Sequence, residues 1–349
     1  VAARPSIKDV ARYAGVSPKT VSNVINDFEH VSERTRAAVR EAIDALGYRV
    51  NIAGRQLRQG RTGMITLAVP ELDVAYFAEL AKHVTAEADR RGHTVLLHQT
   101  GGVRERELAA LRGFDAQFSD GVILSPLSLL PRDLAARDRR LPVVLLGERS
   151  AEGSTDHVAI DNVRAAREVT AHLLARGRRR IAVVGGAVDG RQGTGRLRTD
   201  GYREALTAAG LPFDPGLVVP VDAFLWQDGA RAAAALMDRD TPPDALLCLN
   251  DHLALGALRA LHERGRSVPG ELDVAGFDDI DASRFSVPSL TTVAPDKQGI
   301  ARAAVSLLLS RVDAPEAMPP REEVAGHRLI VRESTGGRGS EGANAARPA

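Results

Sequence analysis

From residue 62 onward the chain repeats one pattern, a short continuous apolar run followed by a stretch with helical periodicity. The runs are "MITLAVP" (64–70), "HTVLLHQ" (93–99), "GVILSP" (121–126), "PVVLLG" (142–147), "RIAVVGG" (180–186), "ALLCLN" (245–250) and "LDVAGF" (272–277). A strand that is apolar on both faces must be covered on both faces. Helices between such strands supply that cover and imply parallel sheets. About 275 residues of this alternation exceed what one sheet and one core normally hold, so two α/β lobes are expected. Ligands of such sheets bind at the carboxyl ends of the strands, here in a cleft between the lobes.

Residues 6–48 read differently, as three helices. Ile7, Val10, Ala11 and Ala14 line one face of the first, and Gly15-Val16 makes a turn. Ser17 can cap the second helix, with Pro18 at its first position, where proline forfeits no hydrogen bond. Val21, Val24 and Ile25 then face inward. A third helix starts near Ser32, uses Val39, Ile43 and Leu46, and stops at Gly47. Two helices joined by a glycine turn, then a third, are the parts of a helix-turn-helix unit.

The exposed face of the second helix carries Ser17, Lys19, Thr20, Ser22, Asn23 and Asn26, with no carboxylate. Such a face suits a groove lined by phosphates. Lys19 can donate to guanine, and Asn23 can pair with adenine. Ser17, Thr20, Ser22 and Asn26 suit phosphate contacts, which fix register. Charge agrees. Residues 1–61 hold eleven Lys/Arg against six Asp/Glu in a chain of net +1, so a basic head sits on a mildly acidic body. A helical bundle that binds protein is the alternative for this head.

Residues 49–61, "RVNIAGRQLRQGR", are basic and weakly apolar, a linker or a marginal helix. The end of the chain, from residue 336, is rich in Gly, Ala and Ser and is expected to be disordered. No long apolar run suggests a membrane span, and the N-terminus shows no apolar signal segment. Cys248 is the single cysteine and lies in an apolar run, as a buried thiol would. These features point to the cytoplasm.

"IKDVARYAGVSPKTVSNVIN" (7–26), "VSERTRAAVREAIDALGY" (31–48) and the "LRQGRT" (57–62) that closes the linker resemble the LacI/GalR (lactose/galactose repressor) family of bacterial transcription regulators. The body continues the resemblance in "VAYFAEL" (74–80), "VAID" (158–161), "RLRTDGYREAL" (196–206), "LCLNDHLALGALRAL" (247–261), "DVAGFDDI" (273–280), "PSLTTV" (288–293) and "LIVREST" (329–335). The resemblance covers about residues 6–335 and is strong because its motifs are collinear.

It implies an all-α helix-turn-helix head on an α/β body of two parallel-sheet lobes like the periplasmic sugar-binding proteins. The expected boundaries are 1–50 for the head, 51–61 for a hinge, 62–335 for the effector-binding and dimerisation body, and 336–349 for the tail. It implies three crossings between lobes, near 161–162, 289–293 and 321–326. Beside Pro18, which the helix-turn-helix reading already places at the DNA-facing amino end of the second helix, it adds Tyr48, Asn51, Gly54 and Leu57, with Leu57 as a minor-groove wedge that bends the duplex. Residues 51–58 would form a hinge helix only on operator DNA, beside a second copy. Two departures, Val50 for the common proline and Gly54 for a better helix former, predict a hinge more disordered off DNA than in typical members. Asn23 replaces the arginine of many members, so base preference differs there.

For the cleft, the resemblance and the strand ends together single out Tyr76, Phe77, Glu148, Arg198, Phe224, Asn250 and Asp278. Planar Arg, Asn and Asp groups fork onto vicinal hydroxyls, and aromatic rings stack on the apolar face of a sugar. A purine would use the same groups, so a sugar is preferred and a nucleobase stays open. Phe77 has a core reading, Arg198 an ion-pair reading, and Asp278 and Asp279 a helix-cap reading. Trp226 is open between the cleft rim and the surface.

The expected protein is a homodimeric, ligand-responsive repressor of double-stranded operator DNA, without cofactor or metal. The C-terminus shows no leucine heptad for tetramerisation. The rivals are a solute-binding protein with a basic extension and an enzyme on the same scaffold. The enzyme reading is poor: "GRQGTGR" (190–196) lacks the Lys-Ser/Thr of a phosphate loop, and HExxH and GxSxG are absent.

Overall fold

A computed structural model of the chain describes residues 5–25, 28–48, 61–112, 119–136, 140–147, 155–188, 193–314 and 319–337. The hinge residues 51–60, with Asn51, Gly54 and Leu57, lie outside the described residues, as do Asn26, Glu148 and the tail from 338. Two compact units separate, 1–62 and 63–349.

The first unit contains α1 (Ile7–Ala14), α2 (Pro18–Ile25) and α3 (Glu33–Leu46). Local chemistry sets each end. Asp9 accepts hydrogen bonds from the Ser6 N–H and hydroxyl, and Gly15 ends α1 at φ +65°. Ser17 Oγ accepts the Thr20 N–H at 3.0 Å and so caps α2. Ser32 does the same for α3 through Thr35, and Gly47 closes it at φ +59°. Val10, Ala11, Val21, Val24, Val39 and Ala42 are buried where the helices meet. Each fully buried valine contributes about 1.5–3 kcal/mol. Ile25, Ile43 and Leu46 pack at the edge of this cluster.

In the second unit the seven apolar runs form seven strands, each trimmed by a few residues. The first lobe holds β1 (Met64–Val69), α4 (Ala75–Arg90), β2 (Thr94–Gln99), α5 (Arg104–Leu111), β3 (Val122–Leu124), α6 (Pro131–Ala135), β4 (Val143–Leu146) and β5 (Asp156–Ile160). The chain then enters the second lobe as α7 (Asn162–Ala175), β6 (Ile181–Val184), α8 (Thr194–Ala208), β7 (Val218–Val219), α9 (Trp226–Met237), β8 (Ala245–Cys248), α10 (Asp251–Glu263), β9 (Asp273–Phe277), α11 (Asp281–Phe285) and β10 (Thr291–Pro295). It returns to the first as α12 (Lys297–Asp313) and β11 (Glu322–Ala325) and ends in the second as β12 (His327–Ile330). The strand orders are β11-β5-β4-β3-β1-β2 and β12-β10-β9-β8-β6-β7. All pairings are parallel except β10–β12.

The chain crosses between sheets at 161 and 326, within the expected segments. The second crossing is a correction. It falls at Asp296, after β10, and not at 289–293, which belongs to the second lobe. The run "PSLTTV" is strand and strand approach there, held by the Leu290 N–H on Ser283 O and the Thr291 N–H on Ser334 Oγ.

Two buried carboxylates fasten distant segments. Asp156 in β5 receives Arg311 from α12 at 2.7 and 2.9 Å and Arg321 at 3.1 Å. Asp273 in β9 receives Arg176 and Arg178. Helices α9 and α10 touch backbone to backbone: a Cβ at Gly256 would lie 1.9 Å from Trp226 O, and one at Gly229 2.0 Å from Leu253 O. That approach brings the amino end of α10 beside Phe224. Cys248 is buried in β8, and burial pushes its thiol pKa up.

Candidate functional site

Two surfaces carry the candidate residues, one on each unit. On the first, Ser17, Pro18 and Lys19 are exposed at the amino end of α2, and Thr20, Ser22 and Asn23 are half-buried on the same helix. Ser17 is also committed to the cap, and its hydroxyl meets Thr20 Oγ1 at 2.8 Å. Tyr48 packs against the edge of the three-helix core. Arg36 reaches back from α3 to Phe28 O at 3.2 Å and fixes the turn after α2. The amino end of α2 therefore stands out as a polar edge, exposed at Ser17, Pro18 and Lys19 and backed by the three-helix core.

The second surface lies at the carboxyl ends of the second sheet. Arg198, on α8, is 6% exposed. Its Nε donates to Asn162 Oδ1 at 2.7 Å, its Nη1 donates to Leu249 O, and its guanidinium lies 3.9 Å above the Phe277 ring. An amide, a carbonyl and an aromatic face hold it, so among the described residues the ion-pair reading of Arg198 does not apply. It ties the first crossing to the ends of β8 and β9.

Asn250 caps α10 through Leu253 N–H at 2.8 Å and donates to Phe224 O at 2.9 Å. A side-chain amide has two N–H groups and two lone pairs, so one of each remains for another partner. Phe224 leans on Gly185, where a Cβ would sit 2.9 Å from the ring. Tyr76 and Phe77 open α4 with rings 5.3 Å apart, edge to face, both partly buried against the main core. The core reading of Phe77 is thus met in part. Trp226 is 53% exposed and meets the His252 ring edge-on.

Asp278 follows β9 with φ +104°, and Asp279 has φ +46°. These are the only non-glycine residues at positive φ among the described residues. Such conformations cost about 1–3 kcal/mol each and persist where surroundings impose them. The helix-cap reading of this pair is corrected: Ile280 is the N-cap of α11, and no side chain caps it. Asp279 instead pairs with Arg332, and the Asp278 N–H bonds Val293 O at 2.8 Å.

Beneath this turn lies a residue the sequence reading did not single out. The Asp251 carboxylate is fully buried and accepts Ser283 Oγ and Thr292 Oγ1, each at 2.6 Å, and the Ile280 N–H at 3.0 Å. Burial, then the nearby Asp278 charge, push its pKa up to about 8, and the three donors work against that rise. Asn162 and Phe277, the supports of Arg198, were also missed. Asn162 adjoins Asp161 of "VAID", and Asp251 lies inside "LCLNDHLALGALRAL" beside Asn250, which was the available signal.

A polar helix edge on a basic three-helix unit, together with a two-lobed body whose polar groups converge at strand ends, defines a ligand-responsive DNA-binding regulator. Comparison with known proteins agrees. Residues 6–51 match the model for bacterial regulatory proteins of the lacI family, and residues 170–335 match that for a periplasmic binding protein-like domain. The transcriptional repressor PurR of Haemophilus influenzae (strain PittEE) is 33% identical over 88% of this chain and 91% of its own. The regulator CelR of Thermobifida fusca is 36% identical over 95% and 98%. Among solved structures, a CelR–cellobiose complex shows 35% identity, covers 95% of this chain and 100% of its own, and has a TM-score of 0.69. The Lac repressor dimer bound to operator and the anti-inducer ONPF shows 26% identity, 95% and 99% coverage and a TM-score of 0.81. The chain belongs to the lacI family and is a DNA-binding transcriptional regulator. No helix of the described residues is long and apolar enough to cross a membrane.

Proposed function

We propose that this regulator is a homodimeric repressor acting in the cytoplasm, whose grip on a two-half-site operator is set by a sugar bound between its lobes. Lys19 and Asn23 read base edges. Ser17, Thr20, Ser22 and Asn26 position the helix on phosphates, Pro18 and Tyr48 face the DNA beside them, and Asn51, Gly54 and Leu57 act in a hinge at the operator centre. In the cleft, Arg198, Asn250 and Asp278 hold hydroxyls, with Phe224, Tyr76 and Phe77 as ring platforms and Glu148 as an acidic contact.

The observation that carries the sugar reading is the grouping of a braced arginine, a half-used amide and a strained aspartate at adjacent strand ends. All three offer fixed hydrogen-bonding directions, which suit a rigid polyhydroxylated ring. Support also comes from the CelR–cellobiose complex at 35% identity. Cellobiose is therefore the first ligand to try, with nucleobases as the second class.

Ligand acts by changing how the lobes sit against each other and against the second copy. A coupling of about 1–3 kcal/mol between sites suffices for a 5–150-fold change in operator affinity. The test is calorimetric titration of the full chain with cellobiose, other mono- and disaccharides, and purines. Saturable binding of a saccharide, lost in Arg198→Ala, supports the reading. Binding of a purine alone moves the effector to the nucleobase class.

A further inference from the structure

The strained turn after β9 is fastened from two sides. From below, Asp251 holds Ile280 and Ser283. From the other lobe come Glu79 and Lys297. Glu79 lies on α4, and Lys297 opens α12. Both helices belong to the first lobe: Arg311 of α12 pairs with Asp156 of β5, and Leu308 lies against Gly121, just before β3.

The two side chains form an ion pair with each other, and each also reaches backbone of the second lobe. Glu79 Oε1 accepts the Asp281 N–H at 3.0 Å. Lys297 Nζ donates to Glu79 Oε2 and, at 3.1 Å, to Asp279 O. The lysine also stands 5.9 Å from the centre of the Tyr76 ring. Its side chain is only 10% exposed and that of Glu79 26%. An ordinary surface pair leaves both charges in water and fixes nothing else. This pair is largely withdrawn from water, and its remaining hydrogen-bonding capacity is directed at two backbone groups flanking Ile280. Those groups belong to the turn whose backbone is held at positive φ.

We propose that Glu79 and Lys297 are positioning residues for the effector cleft: they clamp the first lobe onto the 279–281 backbone and so hold Asp278 at the angle from which it meets a ligand. The ligand-facing part rests on the reading of Asp278 given above; the clamp itself does not. Asp278 then presents its carboxylate correctly only when the lobes stand at the clamped spacing. The ligand contact and the lobe contact share one short piece of backbone.

The test uses the full chain in four forms: wild type, Glu79→Ala, Lys297→Met, and the exchanged pair Glu79→Lys with Lys297→Glu. Amide hydrogen exchange of the free protein is followed over 278–285 and, as an internal reference, over β8. The expected result in both single variants is about tenfold faster exchange in 278–285 with β8 unchanged. The exchanged pair restores the opposite charges. It cannot accept the Asp281 N–H or donate to Asp279 O, so its turn stays fast. Cellobiose affinity, read by calorimetry well below each variant's own thermal midpoint, is expected to fall about tenfold in all three variants.

Unchanged exchange in 278–285 overturns the clamp. Full recovery in the exchanged pair overturns it as well, since the two residues would then act only as opposite charges. If no tested saccharide binds the wild type, the sugar reading fails, and the exchange arm still decides the clamp. If exchange rises while affinity for a binding sugar stays at the wild-type value, the clamp stands and its link to Asp278 is overturned.

Discussion

The two candidate surfaces are built in opposite ways. On the head, the reading edge of α2 is exposed at Ser17, Pro18 and Lys19, and apart from the Ser17 cap the helix is held through its apolar face: Val21 and Val24 are buried, while Lys19 is exposed and Asn23 half-buried. In the body, the candidate ligand groups are also structural parts. Asn250 caps a helix and holds Phe224, Arg198 joins three segments, and Asp278 sits in a turn tied down by Asp251. A reading edge of the first kind can change specificity without changing stability. A cleft of the second kind exchanges ligand preference against fold, and its residues are costly to vary.

Five substitutions break or sharpen that contrast, beginning with the largest. Asp251→Ala leaves two hydroxyls and an N–H without their acceptor in the interior. A loss of about 3–5 kcal/mol in urea unfolding is expected, as for broken buried polar networks. Arg198→Ala removes three supports at once and is expected to cost about 2–4 kcal/mol together with all measurable ligand binding. A thermal scan and a titration on the same sample read both. Ser17→Ala is expected to lower stability of the head by about 1 kcal/mol, the usual worth of such a cap. Lys19→Ala and Asn23→Ala are expected to leave stability within about 0.5 kcal/mol of wild type while base preference relaxes.

A pH series adds a test of the buried site. The Asp251 carboxyl is raised in the folded chain, so the folded state holds a proton that the unfolded state has already released. Its contribution is complete below the ordinary carboxylate pKa and is lost as pH rises toward about 8. Wild-type stability should therefore fall more steeply with pH across that window than the stability of Asp251→Asn. A parallel pair of curves would show that the three donors keep Asp251 ionised throughout.

Sequence alone made the local features legible. Ser17-Pro18, Ser32 and Gly47 announce helix ends by their own chemistry, and the apolar runs announce the central strands. What it missed depends on distant partners. Strand β5 reads "DHVAI", and its Asp156 looks like a surface residue until Arg311 and Arg321, more than 150 positions away, are seen to neutralise it. Asp278 reads as a cleft residue with a cap alternative and Asp279 as a helix cap, because those residue types favour caps. The positive φ values come from Asp251, Arg332 and Val293, which no local pattern reveals. The crossing assigned to 289–293 came from the resemblance, and the true crossing at Asp296 shows as a break only once both sheets are drawn.

The most direct test of the central claim is selection from random duplex DNA by the full chain at low salt, with sequencing of the bound pool. The account predicts a roughly palindromic site of two half-sites, and relaxed half-site bases when Lys19→Ala or Asn23→Ala is used instead. No enrichment by folded protein, with and without a metabolite mixture, would contradict it.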